Sequence, residues 1–387
     1  GSLSRLTIRT AAAITVFMTA LSGAASTLYV DASAAPAGDG LNWTTAFRYL
    51  QDALHLANQP GSDATEIRIA QGAYTPDRDE AGLVTPFDRT AVFSLPATLA
   101  LRGGYRGAFD GSGQNPDDRD LIAFTTRLTG DLLNNDEPVC FSTWPPYFLD
   151  NSNSLLVAAV AGGIVEIDGL TVASAFEGYE GGGLRADTGT DITVRECRFE
   201  NHLAAYGSAI RASGATVAIY STRFAGNQSG FSGQADLATC TSAIIEGCVF
   251  AENCRYIGAD SGGLWATQTP LTCSTTVFED NAGYAAVLFG SPSAIFNTCT
   301  FLGGPMDWPK LGAVSVYGDT HAVFQNCTVS GMGVNGTSYE DAAINARGAT
   351  DGDPVVEFED CTISGNGNPS LGTSGPSCVR VEHATAR

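Results

Sequence analysis

Between Asp168 and Val381 the chain repeats one short pattern. An apolar strand ends in Cys-x-Phe or a close relative, a polar turn often carrying Asn follows, and a Gly/Ala-rich approach leads into a second apolar strand. The first strand reads Leu170-Thr-Val172, Cys197-Arg-Phe199, Thr222-Arg-Phe224, Cys248-Val-Phe250, Thr276-Val-Phe278, Cys299-Thr-Phe301, Cys327-Thr-Val329 and Cys361-Thr-Ile363. The second recurs at Leu184, Ile210, Leu237, Leu264, Val287, Val314, Ile344 and Val379. Most intervals are 23 to 28 residues, lengthening towards the end. A fixed period in this range, built from strands and turns with no helical spacing, predicts a β-solenoid.

Within a unit the apolar residues alternate with period two, then slip. Ile192 and Val194 point inward, and after a break near Glu196 so do Cys197 and Phe199. The same slip separates Val217 and Ile219 from Thr222 and Phe224. Each slip marks a corner between sheets, and three parallel sheets per coil is the natural reading.

Two polar or soft positions repeat with the strands. Asn227, Asn253, Asn281 and Asn366 each stand three residues after the apolar anchor. Stacked Asn side chains hydrogen-bond to one another and to turn backbone, so these are expected to be structural. Cys197, Cys248, Cys299, Cys327 and Cys361 share one position and are expected to form a buried ladder of small side chains. Cys140, Cys240, Cys254, Cys273 and Cys378 lie off it. If a disulfide exists, Cys240 and Cys273, which both follow the second strand in consecutive coils, are the expected pair. No Cys-x-x-Cys occurs and there are four His, which argues against zinc.

The N-terminal part prepares this column. Residues 3–26 read as a secretory leader: Arg5 and Arg9 precede a short apolar run from Ala11 to Leu21, and small residues follow. Gly1-Ser2 in place of Met reads as a cloning remnant. Residues 27–150 are expected to hold a cap and the first coils, with an irregular excursion at 133–150, and residues 151–387 the regular repeats. From Thr44 to Asn58, Phe47, Leu50, Leu54 and Ala57 fall at helical spacing, with Asn42 or Thr44 as N-cap. This predicts an amphipathic helix covering the open end of the column. Strands are expected at 28–31, 66–70, 91–95, 98–102 and 127–132, with a polar loop at 74–88.

Composition narrows the partners. The 387 residues carry a formal charge of −21, which argues against nucleic acid and anionic membranes. It also weighs against polyanionic glycans, unless calcium or a local Arg cluster inverts the charge. The apolar runs are too short to span a bilayer, so no membrane insertion is expected.

Phe224-x-x-Asn227, Phe250-x-x-Asn253 and Phe278-x-x-Asn281, with Gly262-Gly263-Leu264, Ala285-Ala286-Val287 and Gly312-Ala313-Val314, resemble the FxxN and GGA-aliphatic repeats of chlamydial polymorphic membrane proteins. Tyr29-Val-Asp-Ala, Asp39-Gly40-x-x-Trp43 and Gln51-Asp-Ala-Leu54 resemble the start of secreted right-handed parallel β-helix proteins of the pectin-lyase-like superfamily, found in planctomycetes and other environmental bacteria. The resemblance implies an all-β, right-handed parallel β-helix, a three-sheet solenoid with an N-terminal amphipathic capping helix, exported to the cell surface or beyond. It leaves activity open, because the superfamily holds adhesins, passengers, lyases and hydrolases alike. The chain departs from the pattern where Asn201 sits one position early and where Gly304 and Met332 replace Asn. It also carries no C-terminal membrane barrel of the polymorphic proteins, and its last coil shows no evident cap.

Catalytic candidates are sparse. Hydrolases of this kind need clustered carboxylates; Asp117-Asp118 is the only adjacent Asp pair, with no His near it in sequence. A lyase needs a strong base. Lys310 is the only lysine, while Arg185 and Arg211 take the same outward position on consecutive coils, with Arg195, Asp187, Asp191 and Glu196 nearby in sequence. A ring precedes the second strand in most units: Tyr179, Tyr206, Phe231, Tyr256, Tyr284, Trp308 and Tyr339, with Trp265 outward on the strand itself. Rings at a repeated register line one edge, where they stack on sugars or bury into a protein partner, or else pack down and seal the turn beneath. Glu177, Glu180, Asp260 and Asp307 accompany them, and Glu180 with Asp260 offers a calcium site; no other cofactor is expected. The sequence thus predicts a recognition scaffold for glycans or surface proteins. The alternatives are a polysaccharide lyase or glycoside hydrolase, and a module assembling end to end.

Overall fold

A computed structural model describes residues 26–136, 152–255, 261–303, 312–332, 343–348, 352–366, 379–382 and 385–386. It is a right-handed parallel β-helix. Sheet A has twelve strands from Ser26–Val30 to Thr385–Ala386, sheet B ten from Gly72–Tyr74 to Thr362–Ser364, and sheet C ten from Phe93–Leu95 to Val379–Glu382. Each regular coil visits A, then B, then C, and every strand pairs in parallel with its equivalent one coil away, as in Ile192↔Val217 and Phe199↔Phe224. Among the described residues no helix is long and apolar enough to cross a membrane.

The corners are where the phase slips predicted them. Glu196, Ser221, Thr275, Thr298, Asn326 and Asp360 occupy the corner between sheets A and B with φ between 47° and 56°. One left-handed residue re-aims the strand, so the period-two pattern restarts on a new sheet. Immediately after the corner comes the Cys position. Cys197 and Cys248 alternate with Thr222 and Thr276, whose hydroxyls meet the Cys197 and Cys248 amides at 3.4 and 3.3 Å. The thiols and hydroxyls both turn back onto the preceding strand's carbonyl: Cys248 Sγ to Glu246 O at 3.4 Å, Thr276 Oγ1 to Ser274 O at 2.9 Å. This explains why Thr stands in for Cys.

Phe199, Phe224, Phe250, Phe278 and Phe301 stack through the core, with ring centroids 4.5 to 5.4 Å apart. The Asn ladder flanks them. Asn253 Nδ2 donates to Phe224 O at 2.9 Å and to Asn281 Oδ1 at 2.9 Å, while its Oδ1 accepts the Asn227 amide and side chain, each at 3.1 Å. One coil earlier the ladder is continued by His202, not Asn201. His202 Nε2 faces Val172 O at 3.0 Å, Nδ1 accepts the Ala175 amide at 3.1 Å, and its own amide donates to Asn227 Oδ1. The imidazole thus reproduces both contacts of an Asn side chain. Asn201 instead takes the left-handed position before the ladder, with φ 57°, as Glu252 and Asp280 do in later coils.

Several expectations are corrected. The helix is shorter than 44–58: Asn42 caps a single turn Trp43–Thr45, and helix α1 runs Leu50–Ala57. Phe47 lies between them with its backbone paired to the edge of sheet A, its amide donating to Tyr29 O and its carbonyl accepting from Asp31 N. The open strand edge outbids helix propensity there. Leu50, Ala53, Leu54 and Ala57 then bury against the first strands of sheets A and C, so α1 does close that end. The expected 74–88 loop begins inside a strand, Gly72–Tyr74, which opens sheet B. In sheet C the inward row is Leu184, Ile210, Ala235, Leu264, Ala286, Val314 and Ile344. Val287 therefore points outward, one residue out of the expected phase, whereas Leu237 still faces the core beside Ala212 and Ala266.

The Cys240–Cys273 pair is also corrected: both are free and buried. Cys240 lies at a corner, in line with Thr269, whose hydroxyl accepts its amide at 3.0 Å. Cys273 lies within sheet A, in line with Ile245 and Phe296. Cys254 is disulfide-bonded. The leader up to residue 25, Cys140, Cys378, Gly304 and the excursion beyond Asp136 lie outside the described residues, while Ser26, the last residue of the expected leader, opens sheet A.

Coils approach so closely that small residues are required where sheet C begins. A Cβ on Gly263 would run into the Ala285 carbonyl oxygen of the next coil. Gly263→Ala is expected to cost about 1–3 kcal/mol, because the obstacle is backbone and cannot rotate away. A lower urea midpoint checks this; an unchanged midpoint contradicts the tight stacking.

Candidate functional site

The ladder turn leads into a fourth, short sheet that the repeat pattern does not announce. Sheet D comprises Phe176–Glu180, Leu203–Tyr206, Gln228–Ser229 and Cys254–Arg255, lying between sheets B and C. It exists because the stacked His202, Asn227 and Asn253 hold successive turns in register, so the residues just after them pair as well. A sharp bend at Gly181 and Gly207 then leads to sheet C, bringing these backbones against the Arg185 and Arg211 side chains.

On sheet C, Leu184, Ala186, Ile210 and Ala212 fill the core, so Arg185 and Arg211 must face outward, directly paired in register. The row continues through Asp236 and Trp265 on the next two coils. Arg211 and Asp236 form a close ion pair in which the Asp236 side chain is only 2 % exposed. Burial pushes the Asp236 carboxyl above its ordinary value, with Arg211 and Ser232 pulling it down and the charge of Glu180 adding to the rise. Asp236 Oδ1 is buried with no hydrogen-bond partner among the described residues. Arg185 pairs with Asp187 at 3.4 Å.

The rings gather at the same corner. The Arg211 guanidinium lies 5.7 Å from the Tyr206 ring centre, and Tyr206 lies 5.4 Å from Phe231, which is 59 % exposed. Glu180 is exposed and paired in register with Tyr206. Trp265 is half-buried, and its Nε1 donates to Thr267 Oγ1 at 2.9 Å, which fixes the indole along the strand. The corner therefore offers flat apolar faces, a buried carboxylate–guanidinium pair, and a half-exposed Arg with a half-exposed Asp. That combination suits a ligand with both ring faces and hydroxyls.

The structure brings Arg185, Asp187, Arg211, Tyr206, Phe231, Trp265 and Glu180 to one face. Tyr284 is excluded: it is 1 % exposed, and its hydroxyl accepts from Asn345 Nδ2 at 3.2 Å. It seals the sheet it was expected to decorate, and Val287, Ser315 and Asn345 on the same outward row are fully buried. Arg195 is separated from Arg185: it lies on sheet A, 4.1 Å over Tyr220 and 3.7 Å from Glu166. Asp191 is on sheet A, and Glu196 is at the corner between sheets A and B. The side chains of Tyr179 and Glu177, and Tyr256, Asp260, Asp307, Trp308, Lys310 and Tyr339, lie outside the described residues. Among the described residues no group of three or more His, Cys, Asp or Glu is arranged to hold a metal.

Sequence reasoning missed Asp236, although the Ala235-Asp-Leu237 alternation would have placed it outward beside the two arginines. It also missed an ion network outside sheet A. There Arg102 binds Asp168 at 2.7 Å and Glu166 at 2.8 Å, Arg119 takes the other Asp168 oxygen at 2.8 Å, and Arg68 binds Asp117 at 2.9 Å. These side chains satisfy one another, which assigns Asp117 to structure.

A family model described as right handed beta helix region matches residues 153–305. No curated protein matches the sequence. Among solved structures, PfbA, a surface adhesin of Streptococcus pneumoniae, is similar over 86 % of this chain and 91 % of its own, at 9 % identity and a TM-score of 0.25. The architecture rests on the three parallel sheets and the matched region.

Proposed function

We propose that this right-handed β-helix is an exported recognition scaffold that binds a glycan where sheet D meets sheet C. The carrying observation is the pair of a half-buried Tyr206 ring and an exposed Phe231 ring beside Arg211, on the same face as the outward Trp265. Rings held by stacked strands lose little entropy on binding, and sugar faces lie flat against them. The leader-like residues 3–26 support export. Glu180 is the described half of the calcium pair expected with Asp260.

Trp265→Ala and Tyr206→Ala are each expected to weaken glycan retention at least tenfold while leaving the unfolding midpoint within a few degrees. Affinity electrophoresis in polysaccharide gels, with calcium and with chelator, reads this directly. Retention unchanged in both variants would remove the site from the reading. A second reading is favoured by the buried, raised Asp236 carboxyl against Arg211, the pattern of a group tuned for proton transfer. Under it the protein is a polysaccharide lyase or glycoside hydrolase, and Arg211→Ala abolishes turnover.

A further inference from the structure

A second face carries polar groups that the first site does not use. On sheet B, Phe199 and Phe224 stack in the core, so their neighbours Arg198 and Arg223 face outward, directly paired in register on adjacent coils. Both line a cavity of about 350 Å³ at the corner between sheets A and B. Leu121, Ile122 and Thr125 form its opposite wall, and Thr171 and Ser221 add hydroxyls. Ile122 is 86 % exposed, so an apolar side chain lines the same cavity as the two arginines with little packed on it.

The two arginines differ from those of the ion network outside sheet A. Arg102 and Arg119 are saturated by carboxylates at 2.7 to 2.8 Å. Arg198 reaches Glu200 only at 4.0 Å and Arg223 reaches Glu279 only at 3.8 Å, and neither guanidinium donates a hydrogen bond among the described residues. Arg127, two coils from Arg198, shares Glu200 at 3.9 Å. Glu196 at the cavity rim is the remaining acid there. Two unsaturated planar forks thus project from adjacent strands, whose backbones lie about 4.8 Å apart.

We propose that this cavity binds a tetrahedral oxyanion carried on a saccharide, a sulfate ester in particular. A planar carboxylate is satisfied by one fork, whereas a sulfate ester has three free oxygens and can accept from two arginines at once. The hydroxyls supply further donors, and Ile122 with Leu121 covers one face of the sugar. In a chain of net charge −21 the cavity lining carries two arginines against the single carboxylate of Glu196, a positive spot on which an anionic group can dock. Phosphate monoesters share the geometry, so the test carries both.

The experiment titrates the full chain with four defined oligosaccharides of equal length, namely sulfated, phosphorylated, uronate and neutral, by isothermal calorimetry. The expected order is sulfated tightest, with uronate at least tenfold weaker. The double substitution Arg198→Gln with Arg223→Gln is expected to lower sulfated affinity at least tenfold and to leave neutral-glycan retention unchanged. Ile122→Asp, on an exposed turn and therefore harmless to folding, is expected to do the same by placing a carboxylate opposite the forks. Trp265→Ala should show the reverse pattern, so failure of this site and failure of the first are read separately. Phosphorylated ligand binding tighter than sulfated would move the assignment to a phosphate ester and overturn the sulfate reading. Sulfated affinity equal to uronate affinity, or unmoved by the double variant and by Ile122→Asp, would overturn the site.

Discussion

Asn253→Ala is expected to destabilise the column by about 3 kcal/mol, because it removes hydrogen bonds from three buried groups, each worth roughly 0.5–1.5 kcal/mol when made and more where no other partner remains. The Asn227 amide and Asn227 Nδ2 lose the oxygen they share, although Nδ2 keeps Phe199 O at 2.9 Å, and Phe224 O loses the side-chain donor. The neighbouring Asn201→Gly should change stability by less than about 0.5 kcal/mol, since its side chain stands outside the ladder and glycine keeps its left-handed backbone. Asn253→His should recover most of the loss, because His202 already shows an imidazole making the same pair of contacts. Urea unfolding of the three variants checks this. Equal effects at positions 201 and 253 would contradict the ladder's energetic role.

The same imidazole makes stability depend on pH. His202 is fully buried, and burial lowers its pKa from 6.5 to about 3; the Val172 carbonyl opposes this, and the charge of Arg127 adds a smaller lowering effect. Neutral His202 accepts the Ala175 amide at Nδ1. Protonation would set an N–H against that N–H. Since the folded pKa lies below the unfolded one, the full stability is present above pH 6.5 and is lost as pH falls towards 3. The loss is about 1.4 kcal/mol per pH unit in that window, or about 2 kcal/mol by pH 5. His202→Asn extends the Asn ladder without a titrating group, so it should remove this slope. Unfolding free energies of both proteins at pH 7, 6 and 5 isolate the effect, because the carboxylates common to both cancel in the difference. Parallel curves would show that His202 does not titrate on unfolding.

The architecture was legible because coil stacking forces every unit to obey the same local rules. The Phe stack, the Cys/Thr position, the Asn turns and the corner at Glu196 each follow from one residue type recurring at one offset. What escaped was set by neighbours in space. The inward row of sheet C depends on which residue of Ala285-Ala286-Val287 meets the next coil, and all three are apolar, so alternation alone gives no phase. His202 was hidden because its role is defined by the Asn of the following coil, while Asn201 beside it carried the expected letter. Sheet D is too short to show a period. At the site, the outward pairing of Arg185 with Arg211 was readable from the repeat, whereas the Arg211–Asp236 contact needed the register of a third coil. Tyr284 occupies the expected repeat position yet is buried, because nothing in a sequence period distinguishes a ring that seals a sheet from one that stands on its edge.

The central claim is that this column recognises a glycan without cleaving it. The most direct measurement incubates the purified protein with a panel of neutral and acidic polysaccharides, with and without calcium, and reads retention, new reducing ends and unsaturated products on the same samples. The account predicts retention that depends on Trp265 and Tyr206, with no new ends. New ends or unsaturated products that disappear in Arg211→Ala would contradict it and make the sheet C face an active site.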